Sequence, residues 1–186
     1  MRSIMFTGVR GAGKSTLVGQ LAASLGLPHL DYSDYMLEVI ASNDKAALEQ
    51  LTPTQRRDVI DRVEGLLKER RIFSSDDSSL LLFVNHLTVS IDGVIHLPIR
   101  EKYRQFNMAG LCVLHAAPEE ILLRRAKDQK KRRLVEDRDF IVAQQEENRS
   151  QAALIAQLFA VPLIQLFNEN NRLPVREAEE WIRQLQ

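Results

Sequence analysis

Residues 8–15 read Gly8-Val9-Arg10-Gly11-Ala12-Gly13-Lys14-Ser15 and fit the phosphate-binding pattern Gly-x-x-x-x-Gly-Lys-Ser/Thr. Each residue type has a physical job. Glycines let the backbone wrap closely enough for its N–H groups to point at phosphate oxygens. The helix that follows adds partial positive charge at its N-terminus. Lys14 can reach β- and γ-phosphates, and the Ser15 hydroxyl can ligate Mg2+. Gly8, Arg10, Gly11, Ala12, Gly13, Lys14, Ser15 and Thr16 therefore form the expected ATP-binding set, with Mg2+ as the expected cofactor. A β-like run, Ser3–Thr7, precedes the loop. Leu17, Val18, Leu21, Ala22 and Leu25 follow it on one helical face. That strand–loop–helix setting is the one the motif requires.

A loop of this kind says that a nucleoside triphosphate binds; the rest of the chain selects the class. The Asn-Lys-x-Asp sequence that specifies guanine is absent. A motor or AAA-type ATPase ordinarily has a larger domain and a hydrophobic strand ending in acid, whereas the third β-like run here ends Val84-Asn85-His86. Residues 124–133 read Arg-Arg-Ala-Lys-Asp-Gln-Lys-Lys-Arg-Arg, seven of ten cationic. Such a run suits a solvated helix face, a lid that lays arginines over a transferring phosphoryl group, or an RNA patch, which the neutral total charge disfavours. Small size and this basic segment favour a phosphotransferase. Asp31 and Asp34 follow the second β-like run. Either could serve as the base for a hydroxyl acceptor, and Asp31 equally suits a helix N-cap. His86, at a strand end, fits a substrate contact or a structural hydrogen bond.

These groups need a frame, and the apolar periodicity supplies one. Five β-like runs, Ser3–Thr7, Leu27–Asp31, Leu80–Asn85, Gly110–His115 and Pro162–Asn168, alternate with helical segments. The first helix stops at Gly26, suited to the left-handed position after a helix. Thr52-Pro53-Thr54-Gln55 is a capping box that opens a helix carrying Val59, Ile60, Val63, Leu66 and Leu67. Another helix starts at Pro118-Glu119-Glu120, one runs from about Arg138 to Phe159, and the last spans about Pro174–Leu185. The pattern predicts an α/β fold, a five-stranded parallel sheet flanked by helices. Residues 87–97, centred on Asp92-Gly93, break the alternation and read as a hairpin, on the surface or as a flap over a site.

Composition sets the outer limits. The 186 residues suit one domain, 1–186. With 25 Lys plus Arg against 25 Asp plus Glu, the formal charge is zero, which argues against a surface built for nucleic acid. One cysteine, Cys112, excludes an intramolecular disulfide and a Cys-rich zinc site. The longest apolar run, Leu80–Val84, is far short of a membrane span, and no signal-peptide pattern opens the chain. A cytoplasmic location is expected.

On these residues the chain resembles the archaeal type of adenylate kinase, within the P-loop nucleoside monophosphate kinase superfamily. Asp31-Tyr32-Ser33-Asp34-Tyr35-Met36 is similar to the family's Gly-Asp-x-Met segment, with Ser33 in the glycine's place. Leu51-Thr52-Pro53-Thr54-Gln55 is similar to its Leu-x-x-x-x-Gln turn, and Lys45 stands roughly where an acceptor-phosphate arginine is placed. Asn85-His86 corresponds to an Asp-x-His, and Gly93 to Pro98 is similar to a Gly-Tyr-Leu-Pro loop, without the Tyr-Leu-Pro itself. Glu119 to Arg125, then Asp128, Lys131, Arg133, Gln145, Asn148 and Arg149 follow the lid and the helix after it.

The resemblance implies a P-loop kinase fold with an acceptor-binding segment at about 31–70 and a short lid at about 124–138. It implies catalytic roles for Lys14, Arg124, Arg133 and Arg149, an adenine contact near Asn168, and acceptor contacts from Asp34, Met36, Lys45 and His86. Ser15, with a water network from Asn85, would hold Mg2+. The chain departs from the family where Asn85 replaces Asp, Lys45 replaces Arg and gives up bidentate phosphate recognition, and Arg10 replaces Pro. The expected activity is ATP-dependent phosphoryl transfer to a nucleoside monophosphate, AMP first. An acceptor phosphate is already a nucleophile, so positioning and electrostatics suffice. The rivals are phosphorylation of a hydroxyl on a small molecule, nucleoside or RNA end, and a slow regulatory ATPase. Expected partners are ATP and a small phosphorylated acceptor, with neither membrane nor nucleic acid. Homo-oligomers are open, since the archaeal family commonly forms trimers.

Overall fold

The computed structural model describes residues 1–48, 50–74, 79–91, 93–97, 100–127, 137–170 and 172–185. Its centre is a run of apolar strands: β1 (Arg2–Thr7), β2 (His29–Asp31), β3 (Leu80–Val84), β6 (Met108–Ala116) and β7 (Leu163–Asn168). They form one sheet in the order β2-β3-β1-β6-β7, with every pairing parallel. Leu80-Leu81-Leu82-Phe83-Val84 is buried at every position, the signature of a strand covered on both faces. The chain order reverses at β1, and ligands of open parallel sheets bind beyond the strand ends at such a switch point.

Helices cover both faces. α1 (Lys14–Leu25) and α6 (Val175–Gln184) pack with Ile4, Phe6, Leu82, Cys112 and Leu114. Gly110 makes this possible on β6, because a Cβ there would lie 2.9 Å from the Trp181 ring and 2.7 Å from Leu185. On the other face, α2 (Tyr32–Val39), α3 (Pro53–Glu69) and α5 (Arg138–Phe159) pack with Met5, Phe83, Leu111 and Val113. An aromatic cluster knits this side together: Phe83 and Phe106 lie 4.9 Å apart, with Phe73, Tyr32 and Tyr103 against them. α4 (Pro118–Lys127) follows β6. β4 (Val89–Ile91) and β5 (Val94–His96) pair antiparallel as a separate ribbon, so the expected hairpin is present. No described helix is long and apolar enough to cross a membrane.

Three elements escape the apolar pattern. α2 is nucleated by a cap rather than a stripe: Asp31 Oδ1 accepts from the Ser33 N–H at 3.0 Å. Two 3₁₀ helices, Lys45–Leu48 and Arg100–Phe106, are too short for a period to show. In the second, Tyr103 and Phe106 are three residues apart and both buried, the spacing at which a 3₁₀ turn stacks its side chains. β2 begins later than Leu27 because Pro28 has no N–H; its carbonyl alone accepts, from Leu82 N at 2.9 Å.

The capping box closes as its sequence implies: Gln55 N donates to Thr52 Oγ1 at 3.3 Å, and Thr52 N to Gln55 Oε1 at 2.9 Å. Thr52→Ala is expected to cost about 1 kcal/mol of stability. For a chain of this size that lowers Tm by about 2–4 °C. Urea and thermal unfolding followed by circular dichroism measure it; an unchanged midpoint would detach α3 from its cap.

Candidate active site

The segment after β1 is a tight loop, and its backbone carbonyls need donors. Five successive carbonyls receive one from a side chain. Lys14 Nζ donates to Gly8 O at 2.8 Å and Val9 O at 3.0 Å. Arg125 donates to Arg10 O through Nε at 3.0 Å and Nη2 at 2.8 Å. Arg124 Nη1 donates to Gly11 O, and Asn168 Nδ2 to Ala12 O, each at 2.8 Å. The donors come from α1, from the last turn of α4 and from the end of β7. Gly13 completes the fit: its φ is +103°, and a Cβ there would lie 2.7 Å from Asn168 Nδ2.

The charged groups are arranged around this loop. Lys14 is buried, and burial pulls its ammonium down to a pKa of about 7. Asp31 opposes that fall, while Arg125 and Arg10 add to it. His86, part-buried, feels the Lys14 charge first and burial second, and its pKa of about 3 keeps it neutral. Ser15 Oγ donates to Asp31 Oδ2 at 3.0 Å. Asp31 Oδ1 takes both the N–H and the hydroxyl of Ser33, at 3.0 and 2.7 Å. Burial alone would raise the Asp31 carboxyl, yet the bonds from Ser33 and Ser15 and the charge of Lys45 bring it below its ordinary value. Lys45 Nζ lies 3.2 Å from Asp34 Oδ1 and 3.7 Å from Asp31 Oδ2. An open cavity of about 380 Å³ borders Asp34, Leu37, Glu38, Ala41, Ser42 and Asn43 at the far end of this line of charges.

The structure therefore brings together Lys14, Ser15, Asp31, Asp34, Lys45 and His86. It places other candidates differently. Arg149 is half exposed and donates to Glu146 at 2.6 Å, on the flank of α5 that faces His115. The residue before it, Asn148, is the one turned inward, where its Oδ1 accepts from Thr7 Oγ1 at 3.2 Å. Neighbours on a helix point about 100° apart, so only one of the two can face β1. Met36 is packed in the core rather than presented to a ligand. Asn85 Oδ1 is turned to the N–H of His86 at 2.8 Å. Arg124 also pairs with Glu120 at 2.6 Å, and Asn168 holds the loop itself. Thr16 is exposed at the start of α1. Arg133 and the rest of 128–136, the centre of the expected lid, lie outside the described residues. Cys112 is wholly buried in the core, and burial raises its thiol pKa.

Sequence reasoning missed Arg125, whose partner Gln144 lies 3.3 Å away, and the Thr7–Asn148 contact. The available signal was the buried stripe of α5, which contains Gln144, Asn148 and Gln151 beside Ile141 and Ile155. Polar members hide such a stripe from an apolar count. Ser15 and Asp31 present a hydroxyl and a carboxylate close together, oxygen donors that fit Mg2+.

Strand order, loop and donor set define a P-loop kinase. Residues 7–141 match AAA_17, described as an AAA domain, and the chain belongs to that family. Among relatives, the adenylate kinase of Methanopyrus kandleri is 28% identical over 192 residues, covering 98% of each chain. The shikimate kinase of Enterococcus faecalis is 29% identical over 133 residues, covering 72% of this chain and 70% of its own. Among solved structures, a shikimate kinase from Acinetobacter baumannii in complex with shikimate superposes with a TM-score of 0.61 at 18% identity, covering 100% of this chain and 92% of that one. The strand end without an acid had argued against an AAA-type ATPase. The family carries that label, while these relatives are kinases.

Two outcomes follow from the geometry. A bound phosphate restores the Lys14 charge, so nucleotide binding takes up protons. Near pH 6 the lysine is already charged and uptake is small. Above pH 7 it approaches one proton, and affinity falls as pH rises. Calorimetry of Mg2+–nucleotide binding in buffers of different ionisation enthalpy measures this; no uptake at pH 8 would contradict a neutral buried Lys14. Separately, Asp31→Asn should raise the half-saturating Mg2+ concentration about tenfold, the scale of one charged hydrogen bond. Asn85→Asp should change it little. Mg2+ titrations of turnover compare the two, and the reverse order would move the metal side to Asn85.

Proposed function

We propose that this chain is an ATP-dependent phosphotransferase acting on a nucleoside monophosphate, with AMP as the first acceptor to test. The supporting observation is the unbroken line from the phosphate loop to the acceptor segment: Lys14, then Ser15 and Asp31, then Lys45 and Asp34. Phosphoryl transfer to a nucleoside monophosphate brings two anions end to end, and this line supplies Lys14 and Lys45 with the Asp31 carboxylate between them. Loop amides and Lys14 hold the donor phosphates. Ser15 and Asp31 would hold Mg2+, which when bound would neutralise phosphate charge. Lys45 receives the acceptor's anionic group. Arg124 and Arg125 keep the loop in shape through its carbonyls. The full-length similarity to an adenylate kinase supports a nucleotide acceptor. Segments 31–70 and 124–138 serve as parts of one catalytic unit with the sheet.

A second reading has its own support. Both oxygens of Asp31 accept hydrogen bonds, whereas the Asp34 side chain is 62% exposed, with Oδ1 against Lys45. A hydroxyl acceptor would use Asp34 as base.

An acceptor panel decides. With AMP among nucleoside monophosphates, small hydroxylated acids, nucleosides and water, ADP formation is expected to be fastest with AMP, and Lys14→Ala should abolish it while the protein stays folded. Faster turnover with a hydroxyl acceptor would transfer the activity to the second reading. ADP made at one rate with every addition, water included, would leave a slow ATPase.

A further inference from the structure

A cation already stands on the acidic side of the site. Lys45 Nζ lies 3.0 Å from Ser33 Oγ, 3.2 Å from Asp34 Oδ1 and 3.7 Å from Asp31 Oδ2. Asp31 Oδ1 is committed to Ser33, so Oδ2 is the oxygen of that carboxylate which faces the loop. The same Oδ2 accepts the hydroxyl of Ser15. One oxygen thus serves both the metal-side hydroxyl and the acceptor-side ammonium. A divalent ion brought to Ser15 would meet the Lys45 charge across that oxygen, and like charges so close raise each other's cost. Lys45 is held loosely enough to yield. It sits at the start of a four-residue 3₁₀ helix, its side chain is 50% exposed, and its four-carbon stem is flexible.

We propose that Lys45 is an exchangeable counterion that couples acceptor binding to metal binding. Without acceptor, the ammonium neutralises Asp31 and Asp34 and opposes Mg2+. An anionic group on the acceptor draws the ammonium to itself and leaves Asp31 Oδ2 to the metal side. Each ligand then raises the affinity of the other by the same factor, as linkage demands. The site selects against a wasteful complex, metal-nucleotide with water as the only acceptor. This rests on the acceptor being anionic, but its first test needs no acceptor at all.

Binding of a non-hydrolysable ATP analogue to the whole protein, with Mg2+ and separately with EDTA, is measured for wild type, Lys45→Met and Lys45→Arg. Without acceptor, Lys45→Met is expected to bind the Mg2+ complex about threefold to fivefold more tightly than wild type, the range of a partly exposed ion pair. In EDTA the two should bind alike, which separates a metal effect from a general change in fold or charge. Adding AMP or inorganic phosphate should tighten wild type and Lys45→Arg by a similar factor and leave Lys45→Met unmoved. Equal Mg2+-dependent affinity in wild type and Lys45→Met would overturn the proposal, as would tightening of Lys45→Met by the anions. If inorganic phosphate tightens wild type and AMP does not, the coupling stands and the nucleotide acceptor falls. If neither anion tightens wild type, the coupling itself falls.

Discussion

A loop that turns its N–H groups toward a phosphate must leave its carbonyls pointing the other way, and each buried carbonyl without a donor costs about 1–3 kcal/mol. Much of the architecture around the site answers that constraint. Gly8 and Val9 are served by Lys14, Arg10 by Arg125, Gly11 by Arg124 and Ala12 by Asn168. The donors come from three elements that meet only because β1 lies between β3 and β6, with β7 beyond. Sheet order and loop shape are therefore one problem. Lys14, the lysine of the phosphate-loop motif, holds the loop's first two carbonyls, so under the proposed function ligand binding would trade one set of partners for another.

Across the mouth of the sheet, a second constraint governs the acidic side. Parallel neighbours bring the start of α1 and the end of β2 together although Ser15 and Asp31 are sixteen residues apart. Asp31 then does two jobs with two oxygens: one caps α2, the other meets the loop. The cap fixes the carboxylate's direction, so a local helix-start signal decides which oxygen meets Ser15. Asn85, one strand over, turns its amide oxygen to the N–H of its own neighbour, His86.

Much of the frame was legible in the sequence because it rests on local patterns. The phosphate loop, the Thr52 capping box, the stop at Gly26 and the bounds Arg138–Phe159 each follow from adjacent residues or a helical period. What was not legible depends on contacts between distant segments. Asp31 and Asp34 are equivalent as carboxylates after a strand; only the packing of β2 against β3 gives Asp31 to Ser15. Asn148 and Arg149 are equivalent as neighbours; the phase of α5 turns one to Thr7 and the other to Glu146. The resemblance takes in both residues and expects the phosphate contact from Arg149.

The closest approach of the last helix to the sheet has a spectroscopic consequence. Trp181 is the chain's one tryptophan, and it rests on Gly110, where the missing side chain admits its ring. That contact belongs to the face built by α1 and α6, opposite the aromatic cluster that packs with α2 and α3. Intrinsic fluorescence of this protein therefore observes the C-terminal helix lying on β6. It is a reporter of whether the fold is closed at its end, placed by a glycine, and set on the far side of the sheet from Tyr32, Phe83 and Phe106.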